Sequence, residues 1–220
     1  MQIASQHDHP WSVTPKEGIR IQQQLANEVV PTPLTEPVET VAGIDVSIRD
    51  DTAQAAIAVL RLPELERVDQ AIHRCDVPFP YVPGLLSFRE MPALLPALEQ
   101  LAVRPDVLMT DSQGLAHPRR FGLACHLGVL LNWPALGVAK SRLTGEPAGD
   151  LDVEKGAHVP LVDDGEQVGA LLRTRTDVNP VYVSIGHRMT LDDAVRITLD
   201  CCPRYKIPEP TRHAHRLSRT

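Results

Sequence analysis

Alternating hydrophobic and polar positions predict three consecutive strands in the first part of the chain. Residues 41–48, 53–62 and 66–78 are rich in β-branched and small apolar side chains. The polar segment 49–52 supplies a short turn between the first two. Because short turns join antiparallel strands, we predict an antiparallel meander.

Apolar residues at helical spacing predict the helices. The first covers residues 14–30, with Thr14 as N-cap, Pro15 in the first turn and Glu17 at the capping-box position. Three more helices are predicted at residues 85–102, 121–131 and 191–202, the first of these disturbed by Pro92 and Pro96.

Short apolar strands alternate with these later helices. They are predicted at residues 106–110, 135–140, 166–175 and 181–185, with 146–162 as an insertion. A meander followed by alternating helices and strands indicates an α/β domain around a mixed sheet flanked by helices, a pattern shared by several folds. We expect residues 1–13 to be disordered and 14–220 to form one domain.

The composition is that of an ordinary globular protein, with 43% hydrophobic and 23% charged residues among 220. It excludes a fibrous or fully disordered chain. The net charge of −6 argues against non-specific binding of nucleic acid through bulk positive charge. Residues 203–220 nevertheless carry five basic residues and one acidic residue. Such a basic tail either contacts phosphates or is a solvated terminus.

The sequence gives little indication of a membrane span, of a secretion signal or of cysteines that bind a metal. The most apolar stretch, 121–139, is interrupted by His126, Asn132 and Pro134, which makes it too broken for a membrane span. The N-terminus has no signal-peptide core, and the four cysteines show no CxxC spacing. We therefore expect a soluble, cytoplasmic protein that does not bind membranes.

Three carboxylates stand where the hydrophobic pattern disfavours them. Asp45 interrupts an apolar strand, Glu90 lies on the apolar face of a helix, and Asp111 ends the strand 106–110. Each has an ordinary alternative: a half-exposed strand, a salt bridge, or an aspartate that opens a turn. Together they would repel one another without a cation, and Mg²⁺ or Mn²⁺ prefers such oxygen ligands. This combination is typical of phosphodiester hydrolysis.

Basic groups follow Asp111 closely. His117, Arg119 and Arg120 precede a predicted helix, and Lys140 follows the next strand. Cations beside a carboxylate–metal centre suit phosphate binding, for which Arg119 is a candidate. The alternative is that these basic groups pair with Asp111 and its neighbours.

The chain's motifs, in this order, resemble those of the endonuclease V family, whose members act at deaminated adenine. The matching motifs are GIDVS (43–47), PYVPGLLSFRE (80–90), DSQGLAHPRRFGLA (111–124), GVAKS (137–141) and NPVYVSIGH (179–187). The resemblance covers most of residues 14–218. It implies a ribonuclease H-like fold.

The resemblance also implies roles for individual residues. Asp45, Glu90 and Asp111 would bind the catalytic metal, Mg²⁺ with Mn²⁺ as a substitute. The other catalytic residues implied are His117 and Lys140, as electrostatic helpers, and His215, near the metal.

A loop and a pocket for the damaged base are implied as well. Pro80, Tyr81, Val82 and Pro83 match a wedge that separates strands, where the ring of Tyr81 fills the space of a flipped base. The alternative is an aromatic side chain packed beneath a turn. The pocket positions implied are Gly84, Leu85, Gly114 and Leu123.

The implied activity is DNA repair by a monomeric endonuclease. It would cut the second phosphodiester bond 3′ to deoxyinosine and leave 3′-hydroxyl and 5′-phosphate ends. An inosine-specific ribonuclease and a catalytically idle inosine-binding module remain alternatives, with inosine-containing RNA or single strands as further partners. Two positions depart from the family pattern: Ser112 replaces a usual glycine, and Ile48 a frequent aromatic. Neither change removes a metal ligand.

Overall fold

A mixed β-sheet flanked by helices organises the chain. The computed structural model describes residues 5–220. The helices are α1 (Pro15–Leu25), α2 (Leu86–Glu99), α3 (Leu123–Leu131), α4 (Leu191–Asp200) and α5 (Glu209–Leu217). The strands are β1 (Thr40–Arg49), β2 (Thr52–Arg61), β3 (Glu66–Asp76), β4 (Val107–Thr110), β5 (Ala135–Ala139), β6 (Glu146–Pro147), β7 (His158–Asp163), β8 (Glu166–Leu172) and β9 (Val181–His187). The predicted mixed α/β architecture is confirmed.

The strand order is β3-β2-β1-β4-β5-β9-β8-β7-β6. Strands β1, β2 and β3 are antiparallel neighbours, which confirms the predicted meander. Strand β4 runs parallel to β1, and their last paired residues are Ile44 and Thr110. Asp45 and Asp111 each come directly after these residues, so they lie beside each other where the parallel pairing ends.

Strand β1 presents different partners on its two faces. Ala42 and Ile44 belong to a core cluster built with α2 and α3. Val41 belongs to a second cluster, built with α4. Gly43 faces α5 so closely that a Cβ there would lie 1.9 Å from the carbonyl carbon of Pro210. Helix α5 thus lies flush against the strand that carries Asp45.

The predicted helices differ from the structure mainly at their ends. The capping box of α1 is confirmed, since Thr14 N–H donates to Glu17 Oε2 at 2.8 Å and Glu17 N–H donates to Thr14 Oγ1 at 3.3 Å. The helix ends at Leu25, followed by a single 3₁₀ turn to Glu28. Helix α2 continues to Glu99 with Pro92 and Pro96 inside it.

Two segments are more regular than the sequence indicates. The expected insertion 146–162 contributes β6 and most of β7, which extend the sheet at one edge. The basic tail contains α5, which packs on β1 and β2 through Ala214. In both places short polar segments lack the apolar alternation that marks longer elements.

The predicted disordered stretch covers residues 1–13, of which 1–4 lie outside the described residues. Residues 5–13 form neither helix nor strand, but Gln6 N–H donates to Leu130 O at 2.7 Å. Nearby, His9 Nε2 lies 2.8 Å from His126 Nε2, and the Trp11 ring packs on Phe88. Among the described residues, no helix is long and apolar enough to cross a membrane.

Candidate active site

Three separate elements bring the predicted carboxylates together. Asp45 comes from β1, Glu90 from the first half of α2, and Asp111 from the end of β4. The pKa of Glu90 is raised to about 8 because burial disfavours its charged form and because the charges of Asp45 and Asp111 are close. The three side chains therefore form one acidic centre.

Two neighbouring elements contact this acidic centre. From the end of α5, Ser218 Oγ donates to Asp45 Oδ2 at 2.5 Å. His215 Nδ1 lies 3.3 Å from the same oxygen but makes no hydrogen bond to it. From the end of β5, the Lys140 ammonium pairs with Asp111 Oδ2. The structure thus brings His215 and Lys140 beside the carboxylates.

The chemistry of the donor set fits a hard divalent cation. Such a cation relieves the repulsion that raises the pKa of Glu90, and oxygen atoms are its preferred ligands. As the side chains stand, no group of three or more His, Cys, Asp or Glu residues within 5–220 is arranged to hold an ion. Asp111 instead pairs with Lys140, and Asp45 with Ser218.

The predicted wedge is an exposed loop whose two ends are held. The Tyr81 side chain is 72% exposed, so it does not pack beneath the turn. On one side of the loop, Phe79 is buried and its carbonyl accepts from Arg89 Nη1 at 2.9 Å. On the other side, Gly84 has a φ of +78°. Because L side chains rarely adopt such a φ, the backbone at this position favours glycine.

The Gly84 carbonyl is the anchor of this loop. It accepts from Gln22 Nε2 at 3.0 Å, from His117 Nε2 at 3.0 Å and from Arg119 Nη2 at 2.6 Å. Arg119 Nε also donates to Gln22 Oε1 at 2.6 Å. Arg119, a predicted phosphate contact, is therefore engaged with the loop and with α1.

His117 is a buried neutral imidazole. Its Nδ1 accepts from Arg119 N–H at 3.2 Å, so Nε2 carries the proton that is donated to Gly84. Burial, followed by the nearby charge of Arg119, lowers the pKa of His117 to about 4. At neutral pH His117 is therefore a hydrogen-bond donor without a positive charge.

A cavity of about 450 Å³ lies between the wedge loop and the acidic centre. We call it the lesion cavity, after the role that the family resemblance implies for its lining residues, and its size is typical of a small-ligand pocket. Eight of the predicted residues line it: Tyr81, Val82, Pro83, Gly84, Asp111, His117, Leu123 and Lys140. Asp111 and Lys140 form its border with the acidic centre.

Three predicted wedge or pocket residues do not line the lesion cavity. Pro80 lies just before the lining part of the loop. Leu85 is fully buried in a core cluster with Phe121. Gly114 N–H donates to Ser184 Oγ at 2.8 Å.

Sequence reasoning missed Gln22 and Ser218. Gln22 is buried between Ile21 and Leu25 on α1, and a polar residue on an apolar helix face was the available signal. Ser218 had no comparable signal, because its role depends on the position of α5. The unusual Ser112 takes no positive φ, and its hydroxyl lies 2.7 Å from that of Thr110.

Comparisons with known proteins show which family the chain resembles. The endonuclease V family model matches residues 23–216. An endonuclease V of Roseiflexus castenholzii is 49% identical over 213 residues, which cover 96% of this chain and 95% of that protein. The crystal structure of an endonuclease V from Streptomyces avermitilis superimposes with a TM-score of 0.90 at 43% identity, covering 95% of this chain and 93% of that chain.

A third relative was solved with nucleic acid. The endonuclease V of Ciona intestinalis, in complex with a DNA containing an inosine followed by a ribo-adenosine, has a TM-score of 0.81 and 27% identity. The match covers 93% of this chain and 95% of that one. Together these similarities confirm the ribonuclease H-like fold expected from the motifs.

Proposed function

The chain belongs to the endonuclease V family and is a nuclease, and from this we propose that it nicks DNA at the second phosphodiester bond 3′ to deoxyinosine. The reaction is a divalent-metal-dependent hydrolysis that leaves 3′-hydroxyl and 5′-phosphate ends. The observation that carries the proposal is the convergence of Asp45, Glu90 and Asp111 beside a cavity bordered by an exposed tyrosine.

The acidic centre performs the hydrolysis. Asp45, Glu90 and Asp111 would hold the cation, Mg²⁺ or Mn²⁺, which would neutralise charge on the phosphate and lower the pKa of a water molecule. The Lys140 ammonium lies beside Asp111, where it interacts with the charge that develops on the phosphate oxygens.

The wedge and the lesion cavity select the base. Tyr81 enters the stack where the damaged base leaves it, and the base occupies the lesion cavity. Gln22, His117 and Arg119 hold the Gly84 carbonyl and so fix the loop before DNA arrives. A loop fixed in advance loses less conformational entropy on binding.

The direct test is cleavage of an end-labelled duplex that carries one deoxyinosine, beside an undamaged duplex and an EDTA control. We expect one metal-dependent nick, one nucleotide beyond the lesion. Asp45→Asn keeps the size of the side chain but removes its charge, and it should reduce the rate at least about a hundredfold. The matched control is Asp50→Asn, an exposed turn residue with a φ of +47° that asparagine tolerates. Full activity of a folded Asp45→Asn variant contradicts the mechanism.

An inosine-specific ribonuclease is the second candidate. The Ciona relative was solved with a ribonucleotide directly after the inosine, so a ribose is accommodated there in that protein. Matched DNA and RNA strands, and a DNA strand with one ribonucleotide after the inosine, separate the two candidates. Cleavage confined to the strands with ribose favours the ribonuclease. Binding without any cleavage identifies an idle inosine-binding module.

A further inference from the structure

A second cavity, of about 520 Å³, opens on the other side of the acidic centre. We call it the cationic groove and define it by Arg175, Tyr205, Lys206, Arg212 and Arg216. Its remaining lining includes Asp111 and Lys140, which also line the lesion cavity. The two cavities thus meet at the acidic centre.

The groove concentrates positive charge that the protein leaves available. Within residues 5–220, no carboxylate pairs with Arg175, Lys206 or Arg216. Burial and the nearby charge of Lys140 lower the pKa of Lys206, as expected where cations are crowded. In a chain with a net charge of −6, such a local excess of cations attracts anions to this groove.

An exposed aromatic ring accompanies these cations. Tyr205 is 45% exposed, and the guanidinium carbon of Arg212 lies 3.4 Å from the centre of its ring. Grooves that bind single nucleic-acid strands combine cations, which follow the phosphates, with aromatic faces on which bases stack. The composition of the groove therefore fits a polynucleotide better than a free phosphate.

Internal hydrogen bonds hold the walls of the groove together. The buried Thr174 Oγ1 donates to Lys206 O at 2.7 Å, which ties the end of β8 to the loop before α5. Lys155 Nζ donates to Cys202 O at 2.6 Å in the same loop. Arg175 and Lys206 are therefore presented by a fixed framework.

We propose that the cationic groove binds the DNA strand on the 3′ side of the scissile bond. The inference rests on the proposed function, in which the lesion cavity holds the base on the 5′ side of that bond. A continuous strand that places its lesion in one cavity and its scissile phosphate at Asp111 continues into the adjoining groove. Phosphate contacts there set the register of cleavage and require a 3′ arm of DNA.

The test uses single-stranded substrates with one inosine, a fixed 5′ arm and a 3′ arm that is lengthened one nucleotide at a time. The variants are Arg175→Gln, Lys206→Gln and their combination. Arg104→Gln is the matched control, because Arg104 covers Trp133 in a groove whose lining residues belong to neither cavity. Melting temperatures verify that each variant is folded.

We expect KM to rise about fivefold for each cation removed, only on substrates with long 3′ arms, while kcat stays unchanged. The slope of log affinity against log salt concentration should become shallower by about 0.7 for each phosphate of a single strand that a variant no longer neutralises. Thr174→Val keeps every charge but removes the hydrogen bond to Lys206 O, and it should raise KM on the same substrates. Arg104→Gln should behave as the wild type on all of them.

The inference is overturned if the variants match the wild type on every substrate, or if KM rises equally on the shortest and longest arms. Failure of the proposed function is a different result, namely that the wild type does not cut inosine-containing DNA. In that case the same series, measured by fluorescence anisotropy, decides whether the groove binds the 3′ arm.

Discussion

Replacing Gly43 with alanine tests how closely the last helix is fitted to the strand of the acidic centre. The added Cβ would lie 1.9 Å from the carbonyl carbon of Pro210 and 2.4 Å from Thr211 N. Both are backbone atoms, so no side-chain rotation relieves the overlap. To restore an ordinary carbon–carbon contact, α5 must move by roughly 1.5 Å.

This displacement has an energetic and a catalytic cost. Forcing an extra methyl group into a packed interior costs about 1–3 kcal/mol. Loss of the hydrogen bond from Ser218 to the Asp45 carboxylate adds about 1.5 kcal/mol. Because His215 moves away from Asp45 as well, we expect the nicking rate to fall about a hundredfold, as a displacement of ~1 Å near reacting groups can produce.

Urea unfolding and the deoxyinosine nicking assay together measure both costs. The matched control is Gly149→Ala, since a Cβ at Gly149 meets nothing within 4 Å. We expect the control to change the free energy of unfolding by less than about 0.5 kcal/mol and to retain full activity. If Gly43→Ala is as stable and as active as Gly149→Ala, then α5 does not lie flush on β1 and the reasoning is refuted.

Three further predictions concern the wedge loop and its support. Gln22→Leu leaves the Phe121 carbonyl and Arg119 without their hydrogen-bond partner, so the free energy of unfolding measured with urea should fall by about 1–3 kcal/mol. The control Gln23→Leu, at an exposed position, should show no loss, and equal losses would contradict the role of Gln22. In the folded protein the pKa of His117 is about 4, whereas its ordinary value is 6.5. Between these two values the unfolded state binds more protons, so the stability falls as the pH drops from about 6.5 to 4. His117→Phe should flatten that decline by up to about 3 kcal/mol in the free energy of unfolding measured with urea, and an unchanged pH profile would exclude the buried neutral imidazole. Tyr81→Ala should leave the melting temperature unchanged but weaken binding to inosine-containing DNA, measured by fluorescence anisotropy, by about 1–3 kcal/mol. Unaltered affinity would show that Tyr81 does not act as a wedge.

Local signals in the sequence predicted much of the fold. The capping box at Thr14 and Glu17 needs only four residues and is present as expected. Strands β1, β2 and β3 follow one another along the chain, so alternation and a short turn were sufficient to predict their pairing. Asp45 and Glu90 stood out because each interrupts an apolar pattern, and Asp111 because it ends an apolar strand.

Features that depend on distant partners could not be predicted in the same way. Gln22 acts on a carbonyl 62 residues away, and nothing near it in the sequence indicates that partner. Helix α5 has few large apolar side chains, and its stability depends on packing against β1 and β2. Strand β6 has only two residues and is defined by its pairing with β7.

The seating of α5 on β1 has a consequence for how the enzyme is made. Ser218 is synthesised 173 residues after Asp45, an interval on the order of ten seconds or more at cellular translation rates. During that time the strand surface around Ala58 and Leu60 lacks the helix that covers it in the folded protein. A nascent chain that has not yet reached Ser218 therefore lacks one of the contacts that complete the acidic centre.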